Sequence, residues 1–208
     1  MKSRPAPSSR PPHPSLAGQS GMSLVIVLLL LMIVMILGIS SAQIALLAER
    51  TSRSDRDYQV AWQSAEAALV DAQFDIEGPG TASRMDVFAG GSVVNFMENC
   101  GPASDPLRRG LCLPSAAGKP VWLTADLGAA DAPVAEFGTF TARTFDAGGL
   151  GIKPAKKPRY LIEVLPDASL FSDKSVGGQK KVVYRVTALG YGPREETQAV
   201  VQMIFRKE

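Results

Sequence analysis

From Met22 to Ala48 the chain carries no charged residue, and Leu24 to Leu37 is an unbroken run of leucine, valine, isoleucine and methionine. At about 1.5 Å of rise per residue, roughly 20 helical residues cross the hydrocarbon layer of a bilayer, so Met22–Ala42 is long enough to span one. The pattern then changes period without a break. Residues 49–77 contain no proline or glycine. Ala61, Ala65, Ala68 and Ala72 recur at helical spacing, with Trp62, Leu69 and Ile76 a heptad apart alongside them. Gly78-Pro79-Gly80 is a stop signal. Residues 22–77 therefore read as one helical rod of roughly 80 Å. Its first half is apolar all round and its second half has a single apolar stripe.

Beyond Gly80 the pattern changes from helical to mixed. Val87–Met97 is short and glycine-interrupted, a strand or a loop. Pro102, Pro106 and Gly110 disfavour any long element after it, and residues 120–135 read as a connection. Alternation and β-branched or aromatic content predict four strands: Phe137–Phe145, Arg159–Leu165, Lys181–Tyr191 and Thr197–Phe205. Val182, Tyr184 and Val186 share one face of the third, and Val201, Met203 and Phe205 share a face of the fourth. Gly190-Tyr191-Gly192-Pro193 turns between them and predicts antiparallel pairing. Lys174–Lys181, with Gly177-Gly178, reads as an exposed loop. A long helix with an apolar face, followed by an antiparallel sheet with an apolar face, predicts a two-layer α+β domain. The expected organisation is a leader at 1–21, a transmembrane half-helix at 22–48, an amphipathic half-helix at 49–78 and a β-rich globular domain at 79–208.

Composition suits a folded chain: 46% hydrophobic and 20% charged over 208 residues. The net charge of +2 comes without any Lys/Arg cluster, which removes electrostatic support for nucleic-acid binding. Residues 1–21 are rich in proline and serine, carry Lys2, Arg4 and Arg10 and contain no acid. Such a segment cannot bury a core and reads as disordered. Basic residues before the apolar run and Glu49 after it place the N-terminus in the cytoplasm and the rest outside. Cys100 and Cys112, both in the translocated part, read as a disulfide worth ~3 kcal/mol by the chain-entropy model. Two buried thiols, or half of a zinc site, are the alternatives.

The only histidine is His13. If the leader is removed, no histidine remains, which excludes histidine-based triads and ordinary histidine metal sites. There is no P-loop, GxGxxG or GxSxG. The expectation is a non-enzyme without cofactor or small-molecule substrate. Glu66 and Asp71 are expected on a solvated helix face. Asp167 and Asp173, in a connecting loop, form a candidate cation pair that matches no EF-hand spacing.

The apolar run itself admits three readings. Ser40-Ser41-Ala42 has the look of a signal-peptide cleavage site, a plain signal anchor is the default, and Gly21 marks a third boundary between polar leader and apolar helix. A cleaved signal peptide has no reason to run directly into an amphipathic helix. Gly21, Met22, the long apolar helix and its alanine-rich continuation resemble class III signal sequences of type IV prepilins. More closely, "GMSLVIVLLLLMIVMILG" with "ERTSRSDRDYQVAWQSAEAALVDAQ" resembles the N-terminal domain of PilX minor pilins, and "CGPASDPLRRGLC", "PRYLIEVL" and "YRVTALGYGPREETQAVVQMIF" resemble that family's C-terminal half.

The resemblance implies a pilin-like fold in the inner membrane, cleavage by prepilin peptidase between Gly21 and Met22, and N-methylation of Met22. It also implies assembly through the 22–48 helix with other minor and major pilins, on an inner-membrane platform, into an extracellular pilus. The glutamate that major pilins carry five residues into the mature chain is here Ile26, as in minor pilins of the PilX and GspK types. That departure implies a subunit that primes assembly or sits at the tip. A type II secretion pseudopilin is the alternative within the class, although little chain remains after Gly80 for the large insertion of GspK-type subunits. A membrane-anchored periplasmic binding module is the alternative from another class.

Overall fold

The computed structural model of the protein describes residues 22–78, 84–101, 105–167 and 182–207. The chain divides into two units, Met1–Arg50 and Thr51–Glu208. One helix, α1 (Met22–Glu77), contributes to both. It ends where the glycine signal predicts. Gly78 takes the left-handed conformation (φ +75°), and its N–H donates to the Phe74 carbonyl at 3.0 Å. A side chain is disfavoured there, which is why glycine is the common stop.

The second unit adds β1 (Leu111–Cys112), the short helix α2 (Val121–Thr124), β2 (Ala135–Glu136), β3 (Arg159–Pro166), β4 (Val182–Tyr191) and β5 (Gln198–Phe205). The sheet order is β1-β3-β4-β5, with β2 also on β3. β3, β4 and β5 pair antiparallel, as alternation predicts. β1 pairs with β3 parallel through Leu111 opposite Ile162, and β2 pairs antiparallel through Ala135 opposite Tyr160. The sheet is therefore mixed, and β1 and β2 share the same edge of β3. The fold is α+β and pilin-like.

One expected strand is absent. Phe137–Phe145 continues β2 for no further residue but turns at Gly138 (φ +82°), where the Ala142 N–H donates to the Gly138 carbonyl at 3.0 Å. The cause is Asp71 on α1. It accepts the Gly138 N–H at 2.8 Å and the Thr141 hydroxyl at 2.6 Å, drawing the segment onto the helix instead of the sheet. Phe137 and Phe140, three residues apart and so out of strand alternation, are both buried by that turn.

The main core lies between α1 and one face of the sheet. Ala65, Ala68, Leu69, Ala72 and Ile76 meet Tyr160, Ile162, Val164, Tyr184, Val186 and Ala188. The register sets Tyr184 opposite Phe205 and Val186 opposite Met203, so the apolar rows of β4 and β5 lie on the same face. The alanine stripe lets the helix come close. At Gly190 a Cβ would collide with the Ala61 carbonyl and the Ala65 backbone nitrogen. A second core forms on the opposite face, where Leu161, Leu189 and Tyr191 pack with Leu127, Ala132, Val134 and both cysteines. The 120–135 connection thus covers a sheet face.

Candidate assembly interface

In the first unit, α1 starts at Met22, and every side chain from Leu24 to Leu37 is more than half exposed. Ile26 is among them, at 54% exposure. An exposed apolar surface this long and continuous is incompatible with water and needs lipid or other apolar helices around it. Ser40 and Ser41 do not interrupt it. Their hydroxyls donate to the carbonyls of Ile36 and Leu37, each at 2.9 Å, so both are satisfied without solvent. Among the described residues this is the one helix long and apolar enough to cross a membrane. Met22 is its exposed first residue, while Gly21, on the other side of the expected cleavage bond, lies outside the described residues.

In the second unit, the chemistry lies in how loops are fixed to α1. Asp75 is fully buried and forms a bidentate pair with Arg84, whose Nε lies 3.1 and 3.2 Å from the two carboxylate oxygens and whose Nη2 lies 2.5 Å from one of them. The Tyr160 hydroxyl also donates to Asp75, at 3.1 Å. Burial, then the Asp75 charge, holds that hydroxyl well above the ordinary tyrosine range. The rest of the guanidinium is used as well. Its Nη1 donates to the carbonyls of Leu107 (3.0 Å) and Arg109 (2.8 Å), and its carbon lies 3.4 Å from the centre of the Phe140 ring. A buried charge pair is stable only when its remaining groups are met in this way.

Leu107 and Arg109 lie inside the loop that Cys100 and Cys112 close as a disulfide, so that loop is tied through Arg84 to the helix. Arg109 extends the tie by donating to Val134 and Ala132 at 2.8 and 3.3 Å. On the sheet's other face, fully buried Glu163 holds Arg185 in a fork of 2.8 and 2.9 Å. At the helix end, the Lys207 ammonium donates to the Ile76 carbonyl at 2.8 Å, and burial draws its pKa below the ordinary lysine range.

Several expectations shift against this geometry. Glu66 is exposed and accepts the Trp62 indole N–H at 2.8 Å, but Asp71 is fully buried where a solvated face was expected. Trp62 is 41% exposed, whereas its heptad partners Leu69 and Ile76 are buried. Asp167 is buried against Arg206, with a 2.9 Å ion pair, and Asp173 lies outside the described residues, as does the Lys174–Lys181 loop. Sequence reasoning missed Asp75–Arg84–Tyr160. The available signal was an acid at residue 75 on the same helical side as Ala68, Ala72 and Ile76, where a carboxylate needs a buried partner.

An uncharged exposed half-helix, its amphipathic continuation and a helix-on-sheet globular part define a pilin-like, single-pass membrane-anchored subunit. Residues 20–70 match the family model described as PilX N-terminal, and residues 108–207 match the model described as type IV pilus assembly protein PilX C-term. The chain belongs to the PilX family of type IV pilus proteins and is a minor pilin, a structural component that works through contact with other pilus components. No curated protein and no solved structure matches it.

Proposed function

We propose that this minor pilin starts or caps the filament, entering it before a predecessor exists. The observation that carries the reading is Ile26 at the position of the usual pilin glutamate, on a half-helix with no charged side chain. Cleavage after Gly21 frees the Met22 amine, and an ammonium among apolar helices is costly unless an anion neutralises it. In a filament the incoming subunit's glutamate does this for the subunit ahead. A first subunit has none ahead, so Ile26 costs it nothing. The leader (residues 1–21) stays in the cytoplasm, where prepilin peptidase acts, and the globular domain lies in the periplasm. The 22–48 helix joins the assembly platform and sibling pilins.

Mass spectrometry of the mature protein tests the processing step. An N-methylated Met22 end is expected, and a start at Gln43 or an intact Met1 would defeat the pilin route. Ile26→Glu tests the placement. Little benefit, or disruptive entry into the shaft, is expected. Improved and normal incorporation along the shaft would show that the subunit follows others.

A further inference from the structure

The two edges of the sheet are finished differently. On one side β3 is covered by β1 and β2, strands of two residues each, which offer no length of open backbone. The other edge is β5, and it is eight residues long. Its sequence, QAVVQMIF, contains no charge, no proline and no glycine. Proteins ordinarily protect a sheet edge with charged side chains, proline, a bulge or extreme shortness. β1 and β2 use the last of these devices and β5 uses none. Its register with β4 runs from Tyr184 opposite Phe205 to Tyr191 opposite Gln198 without a bulge.

Which groups of β5 face outward follows from the hairpin that precedes it. The Gly192 N–H donates to the Thr197 carbonyl at 2.7 Å, so that pair is hydrogen-bonded. Hydrogen-bonded and non-hydrogen-bonded pairs alternate along an antiparallel ladder. Ala199, Val201, Met203 and Phe205 therefore exchange bonds with β4, and the N–H and C=O groups of Val200, Gln202 and Ile204 point away from it. Among the described residues no backbone group bonds to these three from the outer side. Their side chains leave the edge open as well. The Gln202 amide lies back on the sheet, donating to the Thr187 hydroxyl at 2.9 Å, and Val200 and Ile204 are 49% and 62% exposed.

Donors and acceptors thus recur along one line every two residues, about 6.8 Å of strand rise. A helix uses its own backbone groups internally and cannot meet them, whereas an extended chain presents the complementary series at the same spacing. We infer that β5 takes up a strand from another component of the pilus, which extends the sheet by one. The incoming segment carries uncharged β-branched or aliphatic residues opposite Val200 and Ile204 and a polar residue opposite Gln202. The source of the strand follows from the family, which works through contact with other pilus components. The contact uses no residue of the 22–48 helix. It goes beyond the priming reading and does not depend on it, because the open edge is the same wherever the subunit stands in the filament.

Photocrosslinking in the cells that make the pilus tests this, with p-benzoylphenylalanine in the full chain in place of Val200, of Ile204 or, as an exposed reference, of Ser115. Neither Val200 nor Ile204 is buried, so the replacements leave the core intact. Adducts from the two positions should fall on one segment of one partner chain, about four residues apart, since paired strands keep register. A yield no higher than at Ser115 would overturn the inference. Adducts about nine residues apart, the same distance measured along a helix, would also overturn it. Adducts on the chain's own β5 would assign the edge to a second copy instead. Val200→Pro then removes one outward N–H and leaves the bonds to β4 in place. It should lower the adduct yield from position 204 roughly tenfold, through the lost bond and the bulk of the ring. Val200→Thr keeps that N–H and should leave the yield unchanged. An undiminished yield from a folded Val200→Pro chain would show that the contact is not made by backbone pairing. Should that variant fail to fold, the spacing of the two adducts decides alone.

Discussion

The two halves of α1 are helical for different reasons. Residues 22–48 have no apolar face because they are apolar all round, and nothing in their own unit covers Leu24 to Leu37. Residues 51–77 have one buried side, built from Ala61, Ala65, Ala68 and Ala72 and pressed against a sheet. The first half keeps its charge count at zero, since each charge in lipid is expensive. The second half buries Asp71 and Asp75 outright, since the globular domain can supply donors to both. Uncharged side chains are thus a requirement of the lipid-facing half, whereas in the other half a buried carboxylate is tolerated wherever it is fully paired.

The strongest way to break the second half alone is Asp75→Ala. It leaves the buried Arg84 guanidinium without its anion and Tyr160 without its acceptor. Removing one member of a buried pair costs about 3–5 kcal/mol. Chemical denaturation of the second unit should show that loss, while insertion of the first half is unchanged. Replacing Asp75 and Arg84 together with methionine should recover much of it. If the single variant is as stable as the parent, the pair does not hold the disulfide loop to the helix.

Val34→Lys breaks the other half. A lysine near the middle of the span costs about 3 kcal/mol in membrane insertion. Membrane fractionation should show reduced anchoring, with the denaturation midpoint of the globular part unmoved. Gly190→Ala sharpens the contrast from the sheet side. The new methyl would meet the backbone of Ala61 and Ala65, so the helix must lift or tilt. A cost of about 1–3 kcal/mol is expected from overpacking. Ala65→Gly in the same chain should not restore stability, because the clash is with backbone atoms.

How much of this was legible depended on whether a segment's neighbours lie nearby in sequence. Both halves of α1, and β3 to β5, follow periodicities that single segments reveal. Gly78 as a helix stop is equally local. Asp71 was misread because an acid on a helix is ordinarily solvated, and only the arrival of Gly138 and Thr141 from far along the chain makes its burial tolerable. The same arrival converts Phe137–Phe145 from an expected strand into a turn. β1 is two residues long, too short to show alternation, and its parallel pairing required a crossover that no local pattern marks. The roles proposed for Met22 and Ile26 are positional, since they rest on fixed distances from a boundary in hydrophobicity.

The smallest effect concerns Asp71 and tests whether pairing fully offsets burial. Burial raises its pKa above 3.8, while the hydrogen bonds from Gly138 and Thr141 and the charge of Arg143 oppose the rise. Asp75, on the next turn of the helix, adds to it. A raised carboxylate pKa means that the folded state holds the proton more tightly than the unfolded state. The contribution to stability is then fully present below about pH 3.8 and is lost as pH rises through the folded value. Asp71→Asn cannot titrate, and it keeps one oxygen to accept from Gly138 or Thr141. The melting temperature of the parent minus that of Asp71→Asn should therefore be highest in acid, decline as pH rises from 3.8 and flatten once pH is above the folded value. Effects of the other carboxylates largely cancel in that difference. A difference that increases with pH would mean that the donors from the 138–143 turn outweigh desolvation. In that case the second half of the helix holds its charge not as a tolerated cost but as a stabilising anchor for the turn.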